Sequence, residues 1–558
     1  MKYLISILLA ITFLSCSQEE TLTPTKIVSL KQGDLLGYEK DDTEYFLGVP
    51  YAEAPVNDFR FKAPQSHEGW GGILNAQSTS KTCIQAQEGD GLLGRFAEIF
   101  ITSAGLEWWQ ERLITDGSFL LSYLPDLNLS PEQSEDCLYL NIVKPKKLEN
   151  GSLPVMVWIH GGGYRGGDGG GFYISDSFAK EGIILVTINY RLGPLGFMAH
   201  PLLSSESPKK VSGNYGTLDQ IHALKWVQAN IHKFGGDPNN VTIFGESAGG
   251  ASVETLVSTG LAKDLFHKAI AQSGYTVGRA RKLTERVGEF SSAEEMGASF
   301  AQFFTGKDNP TLEDLRSAPA NAFYYEDSDH EDKDWSWFPI QDGWVFSETT
   351  QASFTKGNTN DIIYVAGFNA NEGTNLFPLI YSGDPLEEDW ITQVWNFSDF
   401  SFIPLPNEVK QYAENLDYSS LRAAKELYGD LSFGGDGYFM ASQYAKNGGD
   451  TYLYYFEKTP SSENQTLDAT HGLELFYLFK SPIPFWPWNY KDIRVSRVMI
   501  KDWANIAKYG KPKSNWDKFD PRDPKAMHFG NEIQFKELQK INLYQDLEKV
   551  YLKEGENF

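Results

Sequence analysis

A serine in a glycine-flanked turn is the first candidate for chemistry in this 558-residue chain. Gly245-Glu-Ser-Ala-Gly249 has the form Gly-x-Ser-x-Gly and joins an apolar run, 241–244, to a helix-like run that begins at Ala251. A sharp strand-to-helix turn needs glycine on both sides of Ser247, because a Cβ atom there would collide with the neighbouring backbone. The pattern predicts a nucleophile at the carboxyl end of a strand. Turns of this form also occur without chemistry, so the prediction depends on partner residues.

The partners of a nucleophilic serine are a base, an acid that orients the base, and N–H donors for the oxyanion. His160-Gly-Gly-Gly-Tyr164 directly follows the apolar run 154–159. Three consecutive glycines let the backbone come close to a bound carbonyl oxygen and direct N–H groups at it. A flexible linker is the alternative, and it is less favoured because a buried strand would deliver this motif to the edge of a sheet.

The candidate acid and base lie further along the chain. Glu372 stands in a glycine-bounded loop after the strand-like run 362–366, and His471 follows the run 452–456 and precedes a glycine. Taken singly, a loop glutamate is usually solvated and a lone histidine is usually structural. The order Ser247, then an acid, then a histidine is nevertheless the order expected of an α/β-hydrolase.

The elements that must position these residues follow an α/β pattern. Residues 154–159 and 183–189 are nearly continuous apolar runs, which is typical of strands buried on both faces of a parallel sheet. An amphipathic helix before the nucleophile turn is indicated by Leu218, Ile221, Leu224, Val227 and Ile231. The sequence predicts a mostly parallel, twisted central sheet flanked by helices, with short antiparallel strands near the N-terminus and with inserted loops.

Several blocks resemble the type-B carboxylesterases of the cholinesterase/lipase family. The resemblance extends from about residue 28 to about residue 520 and implies the α/β-hydrolase fold. The blocks that carry it are Glu135-Asp-Cys-Leu-Tyr-Leu-Asn-Ile142, Asn189-Tyr-Arg-Leu-Gly-Pro-Leu-Gly-Phe197, Phe234-Gly-Gly-Asp-Pro238, Phe244-Gly-Glu-Ser-Ala-Gly-Gly250 and Trp503-Ala-Asn-Ile-Ala-Lys-Tyr-Gly510.

This resemblance implies a catalytic triad of Ser247, Glu372 and His471. It also implies that the oxyanion is bound by the backbone N–H groups of Gly162, Gly163 and Ala248. The expected function is hydrolysis of a carboxylic ester through an acyl-enzyme on the serine, with no metal and no organic cofactor. Two alternatives stay open, namely a non-catalytic adhesion module of the same fold and a lipase that prefers long-chain lipid esters.

Residues around the triad receive supporting roles. Ser273 resembles a serine that supports the acid in this family. Glu246 lies beside the nucleophile, where it either tunes the histidine or is a buried structural acid. Tyr275 is a candidate for lining the substrate pocket. The tryptophans Trp108 and Trp109 are candidates for a lid over that pocket, or they simply pack their helix onto the body.

Charge and composition limit the classes of partner. The chain has 49 Lys and Arg against 74 Asp and Glu, a formal net charge of −25. A nucleic-acid-binding protein would need a basic stripe, so no nucleic-acid partner is expected. The acidic run 326–334 lacks the glycine and spaced glutamate of a calcium loop and is predicted to be a solvated loop. The expected partner is a small-molecule or lipid-like ester; nothing indicates an oligomeric state.

The N-terminus resembles a targeting segment. Residues 1–16 contain Lys2, a short apolar run and Cys16, which together predict a lipoprotein-type signal with Cys16 as the lipid attachment site. An ordinary secretory signal is the alternative. Residues 17–26 are predicted to be a tether and 27–558 a single domain. An exported protein in the periplasm, or on the outer membrane or cell surface, would then contact a membrane only through this anchor.

Two further cysteines, Cys83 and Cys137, either form a disulfide in an oxidising compartment or remain free buried thiols. The family resemblance implies the disulfide, together with two structural ion pairs, Arg60–Glu135 and Arg191–Asp219. The loop that this disulfide closes, 84–136, is about twice as long as is usual in the family, and its role is not indicated by the sequence.

Overall fold

The structure is a computed structural model that describes residues 22–85, 99, 102–103, 132–147, 151–278, 281–288, 290–323, 335–381, 389–397, 405–416, 420–480 and 488–554. The predicted signal segment with Cys16 lies outside these ranges, and so do Trp108 and Trp109. Of the loop 84–136, the structure describes only residues 84–85, 99, 102–103 and 132–136. The acidic run 326–334 also lies outside them.

A twelve-stranded sheet organises the described residues, in the order β1-β4-β5-β7-β9-β8-β10-β11-β12-β13-β14-β15. The strands, including those of a separate small sheet, are β1 Thr23–Pro24, β2 Val28–Leu30, β3 Gly33–Leu36, β4 Tyr38–Lys40, β5 Thr43–Pro50, β6 Ile73–Asn75, β7 Tyr139–Pro145, β8 Leu153–Ile159, β9 Ile184–Ile188, β10 Gly236–Glu246, β11 Lys268–Gln272, β12 Ile363–Asn369, β13 Thr451–Phe456, β14 Lys525–Phe529 and β15 Ile533–Glu537.

The centre of the sheet is parallel and its ends are antiparallel. Strands β9, β8, β10, β11, β12, β13 and β14 pair in parallel, whereas β1, β4, β5 and β7 at one end and β15 at the other pair antiparallel. Every residue of β9 and β13 is buried, as expected for strands covered on both faces. The predicted mostly parallel α/β architecture with an antiparallel N-terminal region is confirmed.

Helices cover both faces of the sheet. On one face α3 and α4 join the larger apolar core, and on the other face α13 and α14 close the second core. The described helices are α1 Gly193–Phe197, α2 Pro201–Glu206, α3 Tyr215–Asn230, α4 Ala248–Ser258, α5 Ala293–Thr305, α6 Leu312–Ser317, α7 Thr350–Lys356, α8 Gly373–Ile380, α9 Trp390–Phe397, α10 Asn407–Glu414, α11 Ser420–Gly429, α12 Gly435–Lys446, α13 Glu474–Phe479, α14 Tyr490–Tyr509 and α15 Ile541–Glu554. None of the helices in the described ranges is long and apolar enough to cross a membrane.

The sheet begins inside the segment predicted as a tether. Strand β1 pairs with β4, and Thr25 donates its backbone N–H to Gly37 O at 3.1 Å. The Thr25 hydroxyl in turn accepts the Gly37 N–H at 3.1 Å. These bonds place residues from Thr23 onward in the fold, whereas the sequence prediction started the domain at residue 27. The local sequence gave no sign of this because a two-residue edge strand has no apolar periodicity.

The N-terminal region is held by a disulfide and by buried ion pairs. Cys83 and Cys137 form a disulfide with an S–S distance of 2.06 Å, as the resemblance implied. Arg60 lies 2.5 Å from Glu135, and Arg191 lies 2.7 Å from the fully buried Asp219. Both predicted ion pairs are therefore present.

Candidate active site

The turn between β10 and α4 holds Ser247 in a strained conformation. Its φ of 58° and ψ of −124° are unusual for a residue with a side chain. A Cβ atom on Gly245 would lie 2.6 Å from Ile159 O, and one on Gly249 would lie 2.0 Å from the same oxygen. Both glycines are required because the turn presses against the end of β8. The Ser247 N–H donates to Gln272 O at 2.9 Å, which fixes the turn to β11.

The glycine motif after β8 lies directly beside this turn. A Cβ atom on Gly161 would be 3.0 Å from the Cβ of Ser247, and Gly162 and Gly163 both have positive φ, 105° and 64°. His160 contributes to the loop through Nδ1, which lies 2.8 Å from Gly161 O. The structure thus brings the first glycine of this motif against the predicted nucleophile, and Ala248 is the first residue of α4.

Glu372 and His471 meet across neighbouring strands. Glu372 lies just after β12, and His471 lies in the segment that follows β13. Glu372 Oε2 is 2.6 Å from His471 Nδ1, and both side chains are buried. Its other oxygen, Oε1, accepts the Ser273 hydroxyl and the Asn369 N–H, each at 2.6 Å. The carboxylate is therefore fixed by three short contacts, and Ser273 makes the contact that the resemblance implied.

The far side of the imidazole faces the residue that precedes the nucleophile. His471 Nε2 lies 3.1 Å from Glu246 Oε1, and Glu246 is buried. A third buried carboxylate, Glu474, accepts hydrogen bonds from Gln272 at 3.0 Å and from Asn369 at 2.6 Å. One titratable ring therefore stands among three carboxyl groups.

These surroundings shift the pKa values of His471, Glu246 and Glu474. Burial alone would lower the pKa of His471, but Glu246 and Glu372 outweigh it and raise that pKa to about 9. Burial raises the pKa of Glu246 to about 8, against the opposing attraction of His471. Burial and the charge of Glu372 also raise the pKa of Glu474. The site thus stabilises a protonated imidazole, which is the species a general base becomes after it has taken a proton.

An aromatic ring that sequence reasoning missed packs on the histidine. Phe433 lies with its ring centroid 4.4 Å from that of His471, and it also makes an edge contact with Tyr275 at 5.6 Å. Phe433 belongs to a single turn of π-helix, Asp430–Gly434, between α11 and α12. Such turns frequently occur at functional sites. No local pattern around Phe433 distinguishes it from a core aromatic, because the contact depends on tertiary packing.

A pocket adjoins the oxyanion loop and the nucleophile helix. It has about 440 Å³ of empty volume, part of which is open to solvent, and most of its lining is apolar. Tyr164, Ala251 and Tyr275 contribute to the lining, and the role of Tyr275 in a substrate pocket stays a prediction. The enclosed part of this space is only about 30 Å³.

Glu474 is the other residue that sequence reasoning did not assign. It lies three positions after His471, in the sequence block that contains the histidine. Its burial and the hydrogen bond that it accepts from Asn369 become apparent only in the folded structure. Within the described ranges, no cluster of three or more His, Cys, Asp or Glu residues is placed to hold a metal ion.

Comparison with known proteins agrees with this arrangement. The model of the carboxylesterase family matches residues 24–545. Among curated proteins, fumonisin B1 esterase of Sphingopyxis macrogoltabida is 31% identical over 92% of this chain and 88% of its own length. Carboxylesterase 1E of Rattus norvegicus is 32% identical over 86% of this chain and 84% of its own length.

Solved structures of PNB esterase share the fold. One of them superposes with a TM-score of 0.73 at 28% identity and covers 93% of this chain and 99% of its own. A structure of a thermophilic PNB esterase has the same TM-score, 0.73, at 27% identity. The fold is therefore that of the α/β-hydrolase esterases, and the chain belongs to the carboxylesterase family and is a carboxylic ester hydrolase.

Proposed function

We propose that this protein hydrolyses carboxylic esters through an acyl-enzyme formed on Ser247. His471 takes the serine proton as the oxygen attacks the ester carbonyl, and Glu372 orients the ring and stabilises the imidazolium. The backbone N–H groups of Gly162, Gly163 and Ala248 bind the negative oxygen of the tetrahedral intermediate. The histidine then gives its proton to the leaving alcohol. In the second step water attacks the acyl-enzyme, with His471 again taking the proton, and the acid product leaves Ser247.

The observation that carries this proposal is the convergence of three distant segments. Glu372 and His471 are in contact at 2.6 Å, and the histidine's other nitrogen reaches Glu246, the immediate neighbour of Ser247. A single oxyanion-hole donor contributes about 3 kcal/mol to transition-state stability, so the glycine loop beside Ser247 supplies a large share of the catalysis. The nucleophile, the base, the orienting acid and the oxyanion donors of this mechanism all come from the chain, and water is the second reactant.

The decisive experiment replaces Ser247 with alanine. The nucleophile is lost while the turn keeps its backbone, so hydrolysis of a short aryl ester is expected to fall roughly 10⁶-fold without loss of folding. Steady-state kinetics and thermal unfolding are measured together. Ser258→Ala, at the far end of the same helix, is the matched control and is expected to keep full activity. Full activity of Ser247→Ala would contradict the proposed mechanism.

A small-molecule ester is the proposed substrate class. The relatives include fumonisin B1 esterase and carboxylesterases, which supports this class. Preference for long-chain lipid esters is the alternative. Rates over a series of p-nitrophenyl esters of increasing acyl length distinguish the two, since activity confined to short acyl groups would exclude the lipase. A purely adhesive role is disfavoured because all three triad positions are filled.

Export as a lipoprotein, anchored through Cys16, is proposed for the same chain. The signal-like segment 1–16 and the disulfide Cys83–Cys137 support it, because disulfides persist mainly in oxidising compartments. In this proposal the membrane is reached only through the lipid. Cys16→Ser expressed in the native host is expected to lose acyl labelling and to leave the membrane fraction. Unchanged labelling would exclude Cys16 as the attachment site.

A further inference from the structure

Two buried carboxyl groups that the proposed reaction does not use lie behind the nucleophile. Glu254 belongs to α4, the helix that begins after Ser247, and Asp436 is the second residue of α12. Their side chains are 0% and 2% exposed, and they hydrogen bond to one another. Two ionised carboxylates offer only acceptors, so one member of this pair must carry a proton.

The surrounding donors place that proton on Glu254. Asp436 Oδ1 accepts the backbone N–H groups of Thr276 and Val277, each at 2.7 Å, which favours the ionised form of Asp436. Glu254 Oε2 accepts the Thr276 hydroxyl at 2.8 Å. Burial, followed by the charge of Asp436, raises the pKa of Glu254 well above its ordinary value. The pair is therefore a carboxylic acid that donates to a carboxylate.

The pair joins three elements that carry the site. The segment 273–277 follows β11 and contains Ser273, which donates to Glu372 at 2.6 Å. Its backbone lies directly on Glu254, because a Cβ atom on Gly274 would be 2.1 Å from Glu254 Oε1. Asp436 holds the same segment from α12, immediately after the π-helical turn that places Phe433 on His471.

We propose that Glu254 and Asp436 form a proton-sharing clamp that positions the segment 273–277. Through Ser273, this segment in turn positions Glu372, the acid of the triad. The clamp loosens when its proton is lost to solvent at alkaline pH. The existence of the clamp does not depend on the proposed function, whereas its effect on turnover does. Both side chains act as positioning residues and touch no substrate atom.

The groups that face the clamp come from each neighbouring element. Asp436 reaches Glu254 from α12, Thr276 from the segment after β11, and Tyr364 from β12. Burial, with the charges of Glu254 and Asp436, raises the pKa of Tyr364 well above its ordinary value, so its hydroxyl keeps its proton. The proton that the pair shares is therefore the one on Glu254.

The sign of the pH effect follows from linkage. Glu254 is protonated in the folded protein and ionised in the unfolded chain above its ordinary pKa of 4.5. The stability that this proton supplies is complete below that value and is lost as pH rises through the raised pKa of the folded state. A Glu254→Gln variant removes this dependence, because its amide donates to Asp436 at every pH and its carbonyl still accepts from Thr276.

The test is the melting temperature of wild type and Glu254→Gln between pH 5 and pH 10. The difference, variant minus wild type, is expected to increase steadily with pH. Asp436→Asn is the second variant, because its amide can donate to an ionised Glu254, and the same trend is expected. A difference in melting temperature that does not change with pH in either variant would overturn the clamp. Failure of both variants to fold would also overturn it, because in each variant an amide hydrogen replaces the shared proton.

Kinetics test the positioning role separately. The ratio of kcat at pH 9 to kcat at pH 7.5 on a short aryl ester is expected to be higher in Glu254→Gln than in wild type. His471 titrates in both proteins, so its contribution cancels from the comparison. Equal ratios alongside a changed melting curve would overturn the positioning role. Asp502→Asn, a buried acid held by Lys513 and Ser514, is the control and is expected to leave the ratio unchanged.

Discussion

Two regions of this protein bury carboxylates in opposite ways. Next to strand β9, Asp219 is fully buried and receives two hydrogen bonds from the Arg191 guanidinium, at 2.7 Å each, and a third from the Arg191 backbone N–H at 3.1 Å. Around the candidate base, Glu246, Glu372 and Glu474 are equally buried, yet only one ring, His471, balances them. In the first region the buried carboxylate is balanced by one cation, whereas in the second region three buried carboxyl groups share a single titratable ring.

The difference separates a structural frame from a titratable site. The attraction of Asp219 raises the pKa of Arg191 in spite of its burial, so the guanidinium keeps its charge. In the second region the pKa of His471 is raised to about 9 and that of Glu246 to about 8, close to the range in which an enzyme exchanges protons. Of these two regions, the candidate site is the one whose buried carboxylates are not each balanced by a cation.

The largest expected effect comes from breaking the orientation of the base. Glu372→Gln replaces the carboxylate that accepts hydrogen bonds from Ser273 and Asn369 and that contacts His471 Nδ1 with a neutral amide. The ring loses its correct tautomer, and kcat is expected to fall about 10⁴-fold. Steady-state kinetics measure this loss, with the exposed Glu313→Gln as control. A loss of less than tenfold would exclude Glu372 as the orienting acid.

Breaking the compensated frame is expected to act on stability instead. Arg191→Met leaves Asp219 buried without its partner, which is expected to lower the free energy of unfolding by about 3–5 kcal/mol. Arg191→Met combined with Asp219→Leu is expected to recover much of that loss, because both charges are then gone. Denaturant unfolding measures both variants. The exposed pair Lys525–Asp523 supplies the contrast, since Lys525→Ala is expected to cause no measurable change.

A smaller effect sharpens the role of the third charge. Glu246→Gln removes one carboxylate that favours the imidazolium, so the pKa of His471 is expected to fall by about 1 unit. Since the neutral ring acts as base, the acidic limb of the kcat/KM profile then moves to lower pH. A pH–rate profile of wild type and variant measures the shift. An unmoved limb would identify Glu246 as a purely structural acid.

Much of the fold was predictable because it depends on local apolar patterns. The runs 154–159 and 183–189 predicted buried parallel strands, which are observed as β8 and β9. Gly245, Gly249, Gly161 and Gly162 could be identified because a Cβ atom at each would lie within 3.0 Å of neighbouring atoms, and Gly163 because its φ is positive. Strand β1 was missed because two residues carry no periodicity.

The additional site residues depend on distance in the fold and not on spacing along the chain. Phe433, on the ring of His471, has the same local appearance as any core aromatic. Glu474 lies three residues from His471, but its burial beside Glu372 arises from the packing of α13. Glu254 and Asp436 are 182 positions apart (436 − 254), and nothing in either local sequence indicates that they share a proton.

By itself the sequence determined the main buried strands, the helix before the nucleophile turn and the identity of the groups able to act as nucleophile, base and acid, since these follow from side-chain chemistry and near-neighbour periodicity. Only the tertiary structure decided which carboxylates are compensated by a cation and which face one another. Which groups pair depends on the dielectric surroundings and on the distances between side chains from separate strands and helices. The packing of the helices on the sheet determines both the surroundings and the distances.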